Sequence, residues 1–384
     1  MSNPILRPFW VNRIERAWDS RNIVWLSGAR RLGKTVLSRQ LPDARYHNCD
    51  LPSVRDRLAD PESFFAHVPS GSRIVLDEVH RAEDPAGLLK IAADAWPELR
   101  VLATGSSTLY ASRRFSDSLV GRKWPIRFAP VLWRESSEWT GAANLERRLL
   151  NGGFPDQLLL PAPDPLWFEE WMDSFFARDI LPLFDIRSRG GFLRVVASVF
   201  VRNGELLDIS AVARDAGVSR PTAVQYLDIL DDCHLTVRVP PYHGGGRREL
   251  VRRPRAYALD TGLVCHLRGW TNLRPADRGP LWENLVLDEL LTAIPQSRIH
   301  YWRDAGGHEV DFAIVAGRDR VAAVEAKISP DGFSPKALAR FRKAYPDGPN
   351  LLCCPHVDEP VPQRLGGFEV TLSAPAQVAE LIRE

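Results

Sequence analysis

The octapeptide Gly28-Ala29-Arg30-Arg31-Leu32-Gly33-Lys34-Thr35 follows the apolar run Ile23-Val24-Trp25-Leu26. Its spacing is G-x-x-x-x-G-K-[ST], the pattern of a loop that wraps a polyphosphate. The N–H groups of a glycine-rich turn face the phosphates, and the start of a helix adds a positive end. Lys34 is expected to reach the β- and γ-phosphates and the Thr35 hydroxyl to hold Mg²⁺. Gly28, Arg30, Arg31, Leu32 and Gly33 make up the rest of the expected nucleotide cradle. A second apolar run, Arg73-Ile74-Val75-Leu76, ends in Asp77-Glu78. Asp77 suits the outer shell of the same Mg²⁺, and Glu78 can take a proton from an attacking water. Arg100-Val101-Leu102-Ala103-Thr104 ends in Gly105-Ser106-Ser107, which puts Ser106 where it can sense the γ-phosphate. With no N-K-x-D guanine-reading motif in the chain, ATP is favoured over GTP. Arg113, Arg114 and Arg122 are candidates for an arginine finger supplied to a second copy, which would make the protein a homo-oligomer.

A second group of charged residues lies near the end of the chain. Glu283 sits on an amphipathic helix opening at Leu281, Asp311 on a strand from Glu309 to Val315, and Glu325 and Lys327 on a strand from Val321. Residues two apart on a strand share a face. If the two strands pair through a turn at Gly317, Asp311 and Glu325 converge with Lys327 beside them. Two carboxylates make a hard oxygen site for Mg²⁺ or Mn²⁺. Lys327 can orient a water or stabilise charge developing on phosphorus, and Glu283 could complete the shell.

Segments of strand and helix must position these groups. Tyr46–Asp50 reads as a strand, 86–95 as a helix, and 167–180 as an aromatic helix whose Trp167, Phe168, Trp171, Phe175 and Phe176 pack between domains. Two short helices from Ile209 and Arg220 flank the turn Ala216–Ser219. Ser219 is the expected N-cap, and Val212, Ala213, Ala216, Val218, Val224, Leu227 and Leu230 are the expected core. A strand at 235–239, a glycine turn and the arginine-rich stretch Arg247–Arg255 would add a wing, so this segment is a DNA-binding candidate. Asp228, Asp231 and Asp232 make the second helix acidic, which favours protein contacts instead.

The order Glu, Asp, Glu-x-Lys within an α-β-β-β-α-β pattern resembles the PD-(D/E)xK nuclease superfamily. Over nearly its full length the chain also resembles a prokaryotic family of AAA-type ATP-binding proteins with a C-terminal domain of unknown function. The carriers are 28–35, 76–78, 104–107, Leu119–Arg122, Gly152–Pro155, Tyr257–Leu263, Glu283-Asn284, 309–312 and 325–327. Phe128-Ala129-Pro130 departs from the Pro-Leu-Ser that members tend to carry. The resemblance implies an α/β protein with four regions. These are a P-loop parallel-sheet ATPase domain (1–140), a helical linker or lid (141–190), a winged helix-turn-helix (191–250) and a nuclease-like α/β domain (251–384).

Composition narrows the classes. With 384 residues, 45% hydrophobic and 26% charged, the chain can form two or three soluble domains. No apolar run approaches the roughly 20 residues that span a bilayer, and the N-terminus lacks a signal-peptide layout. Five cysteines without C-x-x-C spacing suggest neither zinc nor disulfides and fit the cytoplasm. Among 50 basic residues only six are lysine; an arginine bias suits phosphate contacts and follows equally from the base composition of a genome. The expected activity is an ATPase that binds DNA or RNA and cuts it with a metal. The alternative is a nucleotide-switched scaffold or signalling ATPase whose C-terminal domain binds without cutting.

Overall fold

A computed structural model describes residues 5–106, 119–141, 144–186, 188–244 and 253–383. The chain divides into two compact units. One comprises Met1–Pro130, Leu166–Arg189 and Asp228–Leu235; the other comprises Val131–Pro165, Gly190–Leu227 and Thr236–Glu384.

The first unit is built on five strands: β1 (Ile23–Gly28), β2 (Ala44–Asn48), β3 (Arg73–Asp77), β4 (Arg100–Ser106) and β5 (Lys123–Arg127). Their order is β2-β3-β4-β1-β5, and every pairing is parallel. A parallel sheet is covered on both faces, which is why β1 is buried throughout and reads as an unbroken apolar run. Ile23, Trp25, Ile74, Leu76, Val101 and Ala103 form one core with Leu88, Leu89 and Ala92 of the helix Pro85–Ala95. That helix starts where Asp84 accepts the Gly87 N–H at 3.1 Å. β2 lies two residues earlier than its aromatic and polar residues suggested.

The aromatic segment also belongs to this unit. It is an α-helix over Pro165–Phe175 and a π-helical turn over Phe176–Ile180. Phe168, Trp171, Phe175 and Phe176 are buried as expected, Trp171 stacks on Phe175, and Trp167 is only half-buried.

The second unit contains the helix Ile209–Ala216 and the start of the helix Arg220–Asp232. Ser219 Oγ accepts the Thr222 N–H at 3.2 Å, the expected cap. Ala223, Tyr226 and Leu227 are buried, whereas Val218 and Val224 are half-buried. Val212, Ala213, Ala216, Leu227 and Leu230 are buried as expected, and Ala223 takes the buried position on the second helix that was expected of Val224. β6 (Thr236–Val239) pairs antiparallel with β7 (Arg255–Ala258).

Six further strands form a mixed sheet: β8 (Ile299–Arg303), β9 (Glu309–Gly317), β10 (Arg320–Ala326), β11 (Asn350–Cys353), β12 (Val361–Leu365) and β13 (Phe368–Ser373). Their order is β12-β13-β11-β10-β9-β8. β8, β9 and β10 form an antiparallel meander, and β11 runs parallel to β10. The helix Pro335–Ala344 contributes Leu338 and Phe341 to a core with Trp302, Val310, Ala313, Val321, Ala323 and Leu352. The helix carrying Glu283 spans Pro275–Ala293, beginning six residues before the expected start, and Trp282 donates to the Cys353 carbonyl at 3.0 Å. Among the described residues no helix is long and apolar enough to cross a membrane.

Candidate nucleotide site and candidate metal centre

The loop between β1 and the helix Lys34–Ser38 is wound by two left-handed residues, Arg31 (φ 65°) and Gly33 (φ 92°). At Gly28 a Cβ would sit 2.7 Å from the Phe128 carbonyl oxygen, so a side chain would force the loop off its neighbour. Lys34 is buried, and its Nζ donates to the carbonyls of Gly28 (2.8 Å) and Ala29 (3.0 Å). Burial pulls its pKa down, and the charges of Glu78, Asp179 and Asp77 oppose that fall. Leu32 is buried.

Asp77, at the tip of β3, is a convergence point for hydroxyls. Thr35 Oγ1 donates to Oδ2 at 2.8 Å, Tyr46 Oη donates to the same oxygen at 2.5 Å, and Thr104 Oγ1 donates to Oδ1. Burial and the bond to Asp77 push the Tyr46 phenol up to about 12. Glu78 is left-handed (φ 54°), and its N–H donates to Thr104 Oγ1 at 3.1 Å. Its carboxylate lies 3.2 Å from His80 Nδ1. Burial favours the neutral acid, but the His80 hydrogen bond and the charges of Lys34 and Arg30 outweigh it. Glu78 is thus held below the usual carboxylate range.

Of these groups Lys34, Glu78 and His80 line a cavity of about 340 Å³, together with Arg30, Arg178 and Asp179. Arg30 is committed to the wall: its Nε is 2.8 Å from Asp179 Oδ2 and its Nη1 donates to Ser174 Oγ at 2.7 Å. Arg178 sits on the π-helical turn, exposed. Arg122 is not among the lining residues, and its Nε is 2.6 Å from Asp94 Oδ1. Arg113, Arg114 and the side chain of Ser106 lie outside the described residues. The donor set fits a magnesium nucleotide, with a buried ammonium inside the loop and a hydroxyl–carboxylate pair next to it.

In the second unit, Asp311 and Lys327 meet as expected. Lys327 Nζ donates to Asp311 Oδ2 at 2.5 Å and lies 2.8 Å from Glu325 Oε2, and the Ala326 N–H donates to Asp311 Oδ2 at 2.9 Å. Burial and then the Asp311 charge push Glu325 up to about 8. Asp311 is held low despite its burial, because Lys327 and Arg255 stabilise the anion. Burial works against the Lys327 ammonium, yet the two acids raise its pKa. Among the described residues, Glu325 Oε1 and both amide atoms of Asn284 are buried without a hydrogen-bond partner.

Glu283 is differently placed from the expected third carboxylate. Its Oε1 accepts from Arg255 Nη1 at 2.6 Å and from the Tyr257 hydroxyl, while Arg255 Nη2 reaches Glu309 Oε2 at 2.6 Å. A guanidinium and a phenol thus take the oxygen that was expected to complete a metal shell. Among the described residues no group of three or more His, Cys, Asp or Glu side chains is arranged to hold a metal ion. Asp311 and Glu325 offer two carboxylates, with the Lys327 ammonium between them.

Several partners escaped the sequence reading. Tyr46 and Thr104 were seen only as strand residues, and Arg178 and Asp179 only as part of an aromatic helix. Arg255 was one of five arginines in a basic stretch, most of which (245–252) lies outside the described residues.

The AAA domain family matches residues 20–137. A domain of unknown function, DUF8612, matches residues 142–274, and another, DUF4143, matches residues 278–366. An uncharacterized protein of Mycobacterium tuberculosis is 28% identical over 320 residues, covering 80% of this chain and 70% of its own. An uncharacterized protein of Haemophilus influenzae is 24% identical over 347 residues, covering 80% and 83%. Among solved structures, the Walker-type ATPase of Pyrococcus abyssi is similar with a TM-score of 0.43 and 13% identity, over 69% of this chain and 96% of that one. Cdc6p from Pyrobaculum aerophilum gives a TM-score of 0.27 at 12% identity, over 68% and 93%. The loop, the parallel sheet and the match over residues 20–137 together make the first unit the bearer of an AAA-type P-loop ATPase domain.

Proposed function

We propose that this chain hydrolyses ATP in its first unit and binds and cleaves nucleic acid with its second. The observation that carries the reading is the Thr35–Asp77 hydrogen bond beside the buried Lys34, with ionised Glu78 facing the same cavity. Lys34 releases the loop carbonyls and turns its Nζ to the β- and γ-phosphates. Thr35 and Asp77 would hold Mg²⁺, which would supply charge neutralisation to the phosphates. Glu78 accepts the proton of the attacking water at a carboxylate oxygen. Ser106, at the end of β4, would be the sensor of the γ-phosphate.

In the second unit we read the helices from Ile209 and Arg220 with β6 and β7 as a winged helix. The meander β8–β10, with its helices and β11, we read as a PD-(D/E)xK-type domain. Asp311 and Glu325 would hold Mg²⁺ or Mn²⁺, which supplies Lewis acidity to a phosphodiester when bound. Lys327 orients the attacking water and stabilises the charge that develops on phosphorus.

A second reading has its own observation. The ammonium between Asp311 and Glu325, and the engagement of Glu283 by Arg255, suit a domain that grips without cutting. The protein would then be a nucleotide-switched scaffold. Purified protein incubated with supercoiled plasmid, Mg²⁺ or Mn²⁺, with and without ATP, separates the two. Lys34→Ala is expected to abolish ATP turnover, and Lys327→Ala to abolish cutting while sparing turnover. Absence of cutting in the wild type, with intact turnover, would refute the nuclease and favour the scaffold.

A further inference from the structure

The β9–β10 hairpin has two ends. One carries Asp311, Glu325 and Lys327; the other turns through Arg318 and Asp319 and opens β10 at Arg320. Beside that second end is a cavity of about 210 Å³, bordered by Arg298, Arg320 and Arg383. Its apolar lining includes Ile294, Ile314 and Ile382, all buried. We infer that this cavity is a phosphate-binding site, separate from both centres described above.

The charge balance carries the inference. Three arginines line one small cavity, and among the described residues no acidic side chain lines it. Among the described residues none of the three forms an ion pair. Their one side-chain hydrogen bond runs from Arg298 Nε to the Val315 carbonyl at 2.7 Å. Asp319, next to Arg320 in sequence, is 4.0 Å from Arg318 instead, and Glu384, next to Arg383, lies outside the described residues. Three better-buried arginines of this unit are committed. Arg255 bridges two glutamates, Arg134 is 2.6 Å from Glu289, and Arg342 donates to Asn350 and to backbone carbonyls.

Like charges gathered without a counter-charge repel, and an anion with several oxygens relieves that repulsion. Guanidinium forks match phosphate oxygens in pairs. An apolar floor with cationic walls suits one phosphate group, free or in a backbone. A phosphate of a nucleic-acid backbone is one source, which rests on the proposed function; a free phosphate does not.

The test compares wild type, Arg320→Ala/Arg383→Ala, and a charge-matched control, Arg318→Ala/Arg364→Ala, whose residues are exposed in the same unit. One arm measures the unfolding temperature when chloride is exchanged for inorganic phosphate at fixed ionic strength. The other measures anisotropy of a labelled 20-mer duplex across a salt series. Wild type and control should be stabilised by phosphate, and the cavity variant should not. If the phosphate belongs to a duplex, the cavity variant should also bind it about tenfold more weakly. Its slope of log affinity against log salt should shrink by about 1. Loss in both arms assigns the site to a nucleic-acid backbone, and loss in the phosphate arm alone assigns it to a free phosphate. No loss in either arm, or equal loss in the control, overturns the site.

Discussion

Replacing Arg255 by Met should reveal how the second unit tolerates a buried acid, and its pH dependence should be diagnostic. The Arg255 side chain is 7% exposed and binds Glu283, whose side chain is 14% exposed. Removing one partner of a buried, hydrogen-bonded pair costs about 3–5 kcal/mol. Part of that cost depends on pH. Burial, and then the charge of Asp311, push Glu283 up to about 7 from 4.5, while Arg255 pulls it down. A raised folded pKa means that stability is fullest below 4.5 and falls as pH rises through 7. In the wild type the Glu283 contribution therefore levels off above pH 7, where the carboxylate ionises against Arg255. Without the guanidinium the acid stays protonated to higher pH, and stability keeps falling by about 1.4 kcal/mol per pH unit. The variant's deficit should thus be larger at pH 8 than at pH 5 by roughly 1.4 kcal/mol. Glu325, also raised, is not paired with Arg255 and contributes to both proteins, while Asp311, whose anion Arg255 also stabilises, changes the difference in the same direction. Urea unfolding followed by circular dichroism between pH 5 and 9 measures both curves. Parallel curves would refute the assignment of Arg255 as the counter-charge of Glu283.

Tyr46→Phe removes one of three hydroxyls from buried Asp77 and should cost about 1.5–3 kcal/mol, read from the urea midpoint. Arg178 lines the nucleotide cavity whereas Arg122 binds Asp94. Arg178→Ala should therefore lower kcat for ATP by about 10²-fold or more, and Arg122→Ala should leave it within about twofold; a coupled phosphate-release assay decides. Gly262→Ala would bring a Cβ to 2.5 Å from the Asn151 carbonyl oxygen. It should destabilise the second unit by about 1–3 kcal/mol, visible as a lower Tm with ATP turnover preserved.

The nucleotide loop and the Asp77 strand were legible because their signal is local. A buried parallel strand reads as a continuous apolar run, and the loop's glycines and lysine follow at fixed spacing. The Asp77 hydroxyl cluster was not legible for the opposite reason. Tyr46 and Thr104 reach Asp77 from β2 and β4, and only the register, with Asn48 opposite Asp77 and Leu76 opposite Ala103, makes them neighbours. The pairing of Asp311 with Glu325 and Lys327 could be anticipated because one short turn joins β9 and β10. Glu283 could not be placed in the same way. Its distance from the pair depends on how the helix Pro275–Ala293 rotates and on which arginine folds inward. Composition shows five arginines between 247 and 255 and does not distinguish Arg255, whose strand β7 buries it.

The motifs behind the family resemblance separate, once folded, into two kinds with different physics. Those at 28–35 and 77–78 leave polar groups facing a cavity. Those at 152–155 and 260–262 face each other and close the space between them. Asp260 Oδ2 accepts the Gly153 N–H at 2.6 Å, and its Oδ1 accepts the Leu263 N–H at 3.2 Å, so one carboxylate caps a helix and pins a loop. Gly152 is left-handed (φ 78°), and a Cβ there would strike the same carboxylate. Arg148 donates to the Val131 carbonyl at 2.8 Å and to Thr261 Oγ1 at 3.3 Å. Burial raises the Asp260 pKa, and the Arg148 charge and three backbone N–H groups oppose that rise. Every polar atom named here spends its bonds inside the joint, which leaves none to offer a ligand. Glycines and acids recurring together are therefore no guide to chemistry until their partners are known: around Lys34 they open a site, and around Asp260 they seal one.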